Sequence, residues 1–259
     1  MANTDLLGLE RQERLAQMLD QKGTLTIAEI SSTFGVSEAT VRRDLASLAS
    51  QNMIRRVHGG AMRRLAVATS EAPILQRQEE NVEIKQRIGR AAVRLIKNGE
   101  TVLLIGGSTG TAVARELADR HDLTLVTDSL MVANELMQRD SHKVILIGGM
   151  IDSAELAVRG TLARAMLAEL QVDKVILGTK AISAQRGLSA ESAEEAEILR
   201  AFLHAGNQVI VVTDSSKFRQ NALVRVAPID AIHTLVTDTN IPPDALTAIQ
   251  EKGVFVVTV

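Results

Sequence analysis

Over the first sixty-odd residues the apolar positions fall first at helical and then at strand spacing. In "ERLAQMLDQKG" Leu15, Met18 and Leu19 sit at i, i+3 and i+4, and Gly23 supplies a stop, which predicts a first helix. "TIAEISSTFG" puts Ile27, Ile30 and Phe34 on one face of a short second helix, with Thr26 and Glu29 as a capping box and Gly35 as the closing residue. The tight "GVS" leads into "SEATVRRDLASL", where Ser37 reads as an N-cap and Val41, Leu45 and Leu48 form an apolar stripe. Beyond it, "MIRRVHGGAMRR" alternates Ile54 and Val57 with arginines and turns at Gly59–Gly60, the pattern of a small β-wing. Three helices and a wing predict a winged helix-turn-helix.

After residue 83 the pattern changes. Apolar runs "TVLLI" (101–105), "LTLVT" (123–127), "KVILIG" (143–148), "KVILG" (174–178), "QVIVVT" (208–213), "HTLVT" (233–237) and "VFVVTV" (254–259) alternate with amphipathic helical segments. Continuous apolar strands between helices predict a largely parallel α/β sheet buried on both faces.

Length and composition agree with two domains, residues 1–64 and 83–259, joined by a linker over 65–82 that holds an Ala/Thr/Ser stretch and Pro73. No run of 18 apolar residues is present to span a bilayer, so no membrane partner is expected. The absence of cysteine excludes disulfides, thiolate metal sites and cysteine nucleophiles. "MANTDLLGLERQER" has no basic-then-apolar order of a leader, and the cytoplasm is the expected location. With no Trp or Tyr, stacking recognition of single strands has almost nothing to use.

Charge changes the picture more than composition does. The chain carries a net −2, yet residues 40–64 hold six arginines (42, 43, 55, 56, 63 and 64) against one acid, Asp44. Arginines in the first turns of the third helix oppose the helix dipole by roughly a few tenths of a kcal/mol each, which an external anion would offset. In a helix-turn-helix the N-terminal residues of the second helix of the pair enter the major groove. Ser37, Thr40, Arg42 and Arg43 are therefore candidates for phosphate and base-edge contact, and Arg55, Arg56 and His58 of the wing for the flanking backbone of double-stranded DNA. The bland alternatives are a solvated cationic face or a protein-interaction module.

Open α/β sheets bind ligands beyond the carboxyl ends of their strands. Those ends here read Gly106-Gly107-Ser108-Thr109, Thr127-Asp128-Ser129, Gly148-Gly149, Gly178-Thr179-Lys180 and Thr213-Asp214-Ser215, with Lys217 just beyond. In "LLIGGSTGTAVARELA" a strand passes through glycines directly into a helix, which presents backbone N–H groups to an anion such as phosphate. The loop is neither G-x-G-x-x-G nor a Walker A sequence, so no nucleotide cofactor is expected. A capped strand-to-helix turn with no ligand is the alternative.

"VSEATVRRDLASLASQNMIRRVHGGA" closely resembles the DNA-binding signature of the DeoR family of bacterial sugar-responsive transcription regulators. The resemblance extends more loosely through "EIKQRIGRAAVRLIKNGE", "VTDSL", "VILIGGM" and "TDSSKF". It implies a sensor domain similar in fold to ribose-5-phosphate isomerase and the CoA-transferases, binding a phosphorylated sugar or related metabolite. It also implies Gly107, Ser108 and Thr109 as phosphate contacts, Lys217 as a cationic partner, and a homo-oligomer. Two positions depart from the family's usual pattern. Ile105 stands where an aspartate is frequent, which weakens hydroxyl recognition at that edge. Asp128 stands where asparagine is more common, and is either a hydroxyl acceptor or a satisfied turn carboxylate.

An enzyme is the rival reading: a sugar-phosphate isomerase-like domain with an accessory DNA module, drawing on Asp128, Glu191, Glu194 and Lys217. The five histidines are scattered and suggest neither a metal cluster nor a triad. The expectation is a non-enzymatic DNA-binding regulator, a repressor of carbohydrate-metabolism genes controlled by a phosphorylated sugar.

Overall fold

The structure is a computed structural model that describes residues 8, 10–16, 18–19, 24–50, 54–57, 59–63, 66–67, 71–138 and 141–259, without the side chains of residues 55, 63, 66, 67, 219 and 220. The chain falls into two compact units that part between Ala66 and Val67.

In the first unit residues 10–16 are helical (α1), followed by β1 (Thr24–Thr26), α2 (Ile27–Phe34), α3 (Glu38–Ser50), β2 (Ile54–Val57) and β3 (Gly60–Arg63). The capping box at α2 is formed: the Thr26 hydroxyl accepts from Glu29 N at 3.2 Å while Thr26 N donates to Glu29 Oε2 at 2.7 Å. Gly35 closes the helix in the left-handed conformation at φ 62°. Leu15, Leu19, Leu25, Ile30, Val41, Leu45, Leu48, Ile54 and Ala61 make one core, so the stripe on α3 faces inward as its spacing predicts. The wing is the antiparallel pair β2–β3. Strand β1, unforeseen in the sequence, pairs antiparallel with β3 and buries Leu25. A two-residue strand, β4 (Ala66–Val67), follows.

The second unit opens with α4 (Ile74–Glu79) and α5 (Val82–Val93). Strand and helix then alternate through β5 (Thr101–Leu104), α6 (Ser108–Arg115), β6 (Thr124–Thr127), α7 (Leu130–Met137) and β7 (Lys143–Leu146). A hairpin of β8 (Met150–Asp152) and β9 (Ala157–Arg159) precedes α8 (Thr161–Ala168) and β10 (Val172–Leu177). There follow β11 (Ala181–Ser183), β12 (Gly187–Ala190), α9 (Ala193–Ala205), β13 (Gly206–Val212), β14 (Gln220–Asn221), β15 (Val224–Ala227), β16 (Thr234–Thr237), α10 (Pro243–Gln250) and β17 (Phe255–Thr258). The seven apolar runs are the seven strands of one parallel sheet, ordered β17-β16-β13-β10-β5-β6-β7.

Alternate residues of each strand feed opposite cores. Val102 and Leu104 pack with Ile88 of α5, Val113 of α6 and Leu136 of α7. Leu103 and Ile105 join Leu167 of α8, Phe202 of α9 and Ile249 of α10 on the other side. Both faces are covered, which is why these strands read as unbroken apolar runs. The small antiparallel sheet β11-β12-β15 is an addition that the strand pattern did not announce.

From β5 the chain steps outward through β6 to β7. From β10 it steps the other way through β13 and β16 to β17. Adjacent β5 and β10 therefore flank the point where strand order reverses, the place where open α/β sheets leave a crevice at the carboxyl ends.

Candidate functional site

In the first unit the start of α3 is built by Ser37, whose hydroxyl accepts from Thr40 N at 3.3 Å and lies 3.0 Å from the Thr40 hydroxyl. Arg43 is exposed on the outer face. Arg42, also exposed, pairs one turn back with Glu38 at 2.8 Å. Glu38 supplies the negative charge that the dipole favours in a first turn, so this end is less cationic than the arginines alone imply. Such an exposed pair is worth well under about 1 kcal/mol and leaves Arg42 able to exchange partners. Arg56 is exposed on β2; the backbone of Arg55 lies on the same strand, while its side chain and all of His58 fall outside the described residues. Asp44, the one acid of the basic stretch, is buried on the inner side of α3. It accepts from Arg11 Nε at 2.6 Å, Arg11 Nη2 at 3.2 Å and Gln12 Nε2 at 3.1 Å, which ties α3 to α1.

In the second unit a cavity opens at the strand-order reversal, among the loops after β5, β10 and β13 and the segment before α4. Gly107 enters α6 at φ 101°, a backbone setting that favours glycine. Gly110, one turn on, faces the Ile105 carbonyl so closely that a Cβ would stand 2.1 Å from the oxygen. These two glycines let the helix start directly against the strand end. The first intrahelical bond runs from Thr111 N to Gly107 O at 2.9 Å, so the N–H groups of Ser108, Thr109 and Gly110 precede it at the positive end of the dipole. Gly107, Ser108, Thr109 and Lys217 all line the cavity, together with Ile105.

Asp128 is not brought to it. The side chain is fully buried, its Oδ1 accepting from Gly106 N at 2.8 Å and its Oδ2 from Arg159 Nη1 at 2.7 Å. Of the two roles open to it, the turn carboxylate is the one it has, and it aims Arg159, which does reach the cavity.

The residues absent from the sequence expectation are ionic. Glu71 accepts from Lys180 at 2.9 Å, from Arg77 at 2.9 Å and from Lys217. Glu155 pairs with Lys180 at 2.9 Å and with Arg77. Burial alone would raise the Glu71 carboxyl, but the Lys217 and Lys180 charges outweigh it and hold Glu71 below its ordinary value. Lys180 moves up, burial being outweighed chiefly by Glu71. Burial pushes Lys85 down; its ammonium donates to the carbonyls of Arg77 at 2.5 Å and Glu80 at 2.6 Å. Burial likewise raises Glu195, against a hydrogen bond from Glu191 N at 2.9 Å. Glu71 and Arg77 fall in the stretch read as a linker, where nothing local announces partners 78 to 146 positions away. Lys180 stood in view at the end of a strand.

A glycine cradle at a helix start, with cations converging from two other strand ends, is suited to a small anion that also carries polar groups. The pattern described as "DeoR-like helix-turn-helix domain" matches residues 11–64, and "DeoR C terminal sensor domain" matches residues 80–239. The chain belongs to the DeoR family. It is a DNA-binding transcription regulator of that family, and several of its relatives are named as transcriptional repressors. The transcriptional repressor AccR of Agrobacterium fabrum is 34% identical over 231 residues, 89% of each chain. The glycerol-3-phosphate regulon repressor of Escherichia coli K12 is 32% identical over 245 residues, 95% of this chain and 96% of that one. Among solved structures, ribose 5-phosphate isomerase A of Methanocaldococcus jannaschii aligns over 54% of this chain and 55% of its own, at 20% identity and a TM-score of 0.40.

Among the described residues no helix is long and apolar enough to cross a membrane. No group of three or more His, Asp or Glu residues among them is placed to hold a metal ion.

Proposed function

We propose that this DeoR-family protein represses carbohydrate-metabolism genes from the cytoplasm and leaves its operator when a phosphorylated sugar occupies the cavity between β5 and β10. The observation that carries this reading is the cavity's own construction: the α6 N-terminus on one side and Lys180 and Lys217 on the other, at the strand-order reversal. Gly107, Ser108 and Thr109 cradle the phosphate, and Lys217 neutralises it. The apolar Ile105 beside them selects against a hydroxyl at that edge. Repression is supported by relatives named as repressors, one of them of a glycerol-3-phosphate regulon.

On the DNA side Thr40, Arg42 and Arg43 meet base edges and phosphates from the capped start of α3. Ser37, Arg55, Arg56 and His58 serve the backbone, with residues 1–64 as the DNA-binding part and 83–259, joined by the α4 region that lines the cavity, as the sensor. A paired operator requires at least a dimer. Strand β7 is an uncovered sheet edge with Ile145 and Leu146 exposed, and Met150 and Ile151 follow exposed on β8, apolar surface that a second copy can cover.

The test is fluorescence anisotropy of a labelled operator duplex with the full chain, titrated with a panel of sugar phosphates and the same sugars without phosphate. Release by a phosphorylated member and not by its free sugar is the expected result; release by free sugars alone contradicts the reading. Sedimentation of the same sample gives the oligomeric state, and a monomer on the operator would remove the dimer.

A further inference from the structure

The cavity beside Gly107 encloses only about 90 Å³, against roughly 300–1,000 Å³ for ordinary small-molecule sites. A second cavity of about 410 Å³ lies next to it, against β8. Glu71, Glu155, Arg159, Lys180 and Glu195 line both, so they form the wall between the two. Four of them come from the β8–β9 hairpin, the loop after β10 and α9. Glu71 does not: it stands near the start of the second unit, four positions after Val67 and ahead of α4. Its carboxylate is buried and held by Lys180, Lys217 and Arg77, the cations an anionic effector needs. Its backbone N–H donates to Glu191 Oε1 at 2.8 Å, and Ile74 N donates to Ala154 O at 2.9 Å.

We propose that Glu71 is a tethered counter-anion that holds the effector's place, and that the effector's anionic group displaces it, merging the two cavities into one large enough for a phosphorylated sugar. This rests on the reading of the cavity as the effector site. A carboxylate and an incoming phosphate cannot both take the Lys180–Lys217 pair without placing like charges in contact, which is costly where water is excluded. The exchange frees Glu71 near the start of the second unit, so occupation of the sensor is registered there by loss of a fixed anchor. A ligand can shift DNA affinity only through such a difference between states.

The probe is inorganic phosphate, titrated calorimetrically into the full-length wild type, Glu71→Gln and Lys217→Ala, with hydrogen exchange of the wild type followed in parallel. Glu71→Gln keeps the shape and one acceptor oxygen and removes the charge. It should bind phosphate about tenfold more tightly than wild type, about 1.4 kcal/mol, while Lys217→Ala binds more weakly. In wild type, saturating phosphate should speed exchange at the Glu71 amide. If Lys217→Ala weakens binding but Glu71→Gln leaves it equal or weaker, Glu71 is no competitor; the proposal fails and the site stands. If phosphate does not bind, or binds without regard to Lys217, the site reading falls and this proposal with it. Should Glu71→Gln not fold, the wild-type exchange decides: unchanged or slower exchange at Glu71 with phosphate bound overturns the displacement.

Discussion

Asp44→Ala tests how the DNA-binding unit holds its recognition helix. The carboxylate has 6% of its side-chain surface exposed and takes three hydrogen bonds from α1, two from Arg11 and one from Gln12. A hydrogen bond to a charged group is worth about 1.5–3 kcal/mol, and a severed buried pair about 3–5 kcal/mol. Arg11, however, keeps 22% of its side chain exposed, so water re-solvates the guanidinium once its partner is gone. Alanine also gains a few tenths of a kcal/mol of helix propensity, roughly. The net cost should be about 2 kcal/mol, a factor of about 30 in the opening equilibrium. Hydrogen exchange across residues 41–48 of the full chain reads this unit without requiring both units to unfold together. Arg11→Ala in the Asp44→Ala background should add much less than it does alone, because the partner is already lost. Acceleration of less than about threefold in Asp44→Ala, or full additivity of the pair, would refute the claim that this contact fixes α3 to α1.

Arg43→Ala should weaken operator binding by about 1–3 kcal/mol and relax base preference, whereas Arg56→Ala should weaken all duplexes alike and lower the salt slope by about 1. Anisotropy against operator and scrambled duplex over a salt series separates the two, and equal behaviour of both variants would remove the proposed docking. Burial raises the Glu195 carboxyl in the folded state. The protonated form is therefore favoured by folding, and stability present below the ordinary carboxylate range is lost as pH climbs through the raised value. Glu195→Gln should melt higher than wild type at pH 7, with the gain vanishing toward pH 4; calorimetric scans across that range check it, and a gain that grows with acid reverses the sign.

What could be read from the chain follows the reach of the interactions involved. The seven sheet strands were legible because burial on both faces demands unbroken apolar runs. The small sheet was not, since "AIS" and "GLSA" are too short and too poor in large side chains to stand out. Strand β1 escaped for the same reason: only Leu25 of its three residues is buried. Gly107 to Thr109 announced themselves because a glycine-rich strand-to-helix turn is local chemistry. Glu71, Arg77 and Glu155 did not, because their meaning lies in partners that only the fold brings near. Asp128 showed its place at a strand end but not that Gly106 and Arg159 each bond one of its oxygens.

The most direct test of sensing joined to DNA release is calorimetric titration of a releasing sugar phosphate into wild type and Lys217→Ala, beside operator anisotropy on the same samples. Lys217→Ala should lose about 1.5–3 kcal/mol of ligand affinity, the worth of a charge-assisted contact, while ligand-free operator affinity stays within about twofold, since the substituted side chain belongs to the sensor unit. An effector that releases the operator from both proteins with equal affinity would contradict the account and place the sensing site away from Gly107 and Lys217.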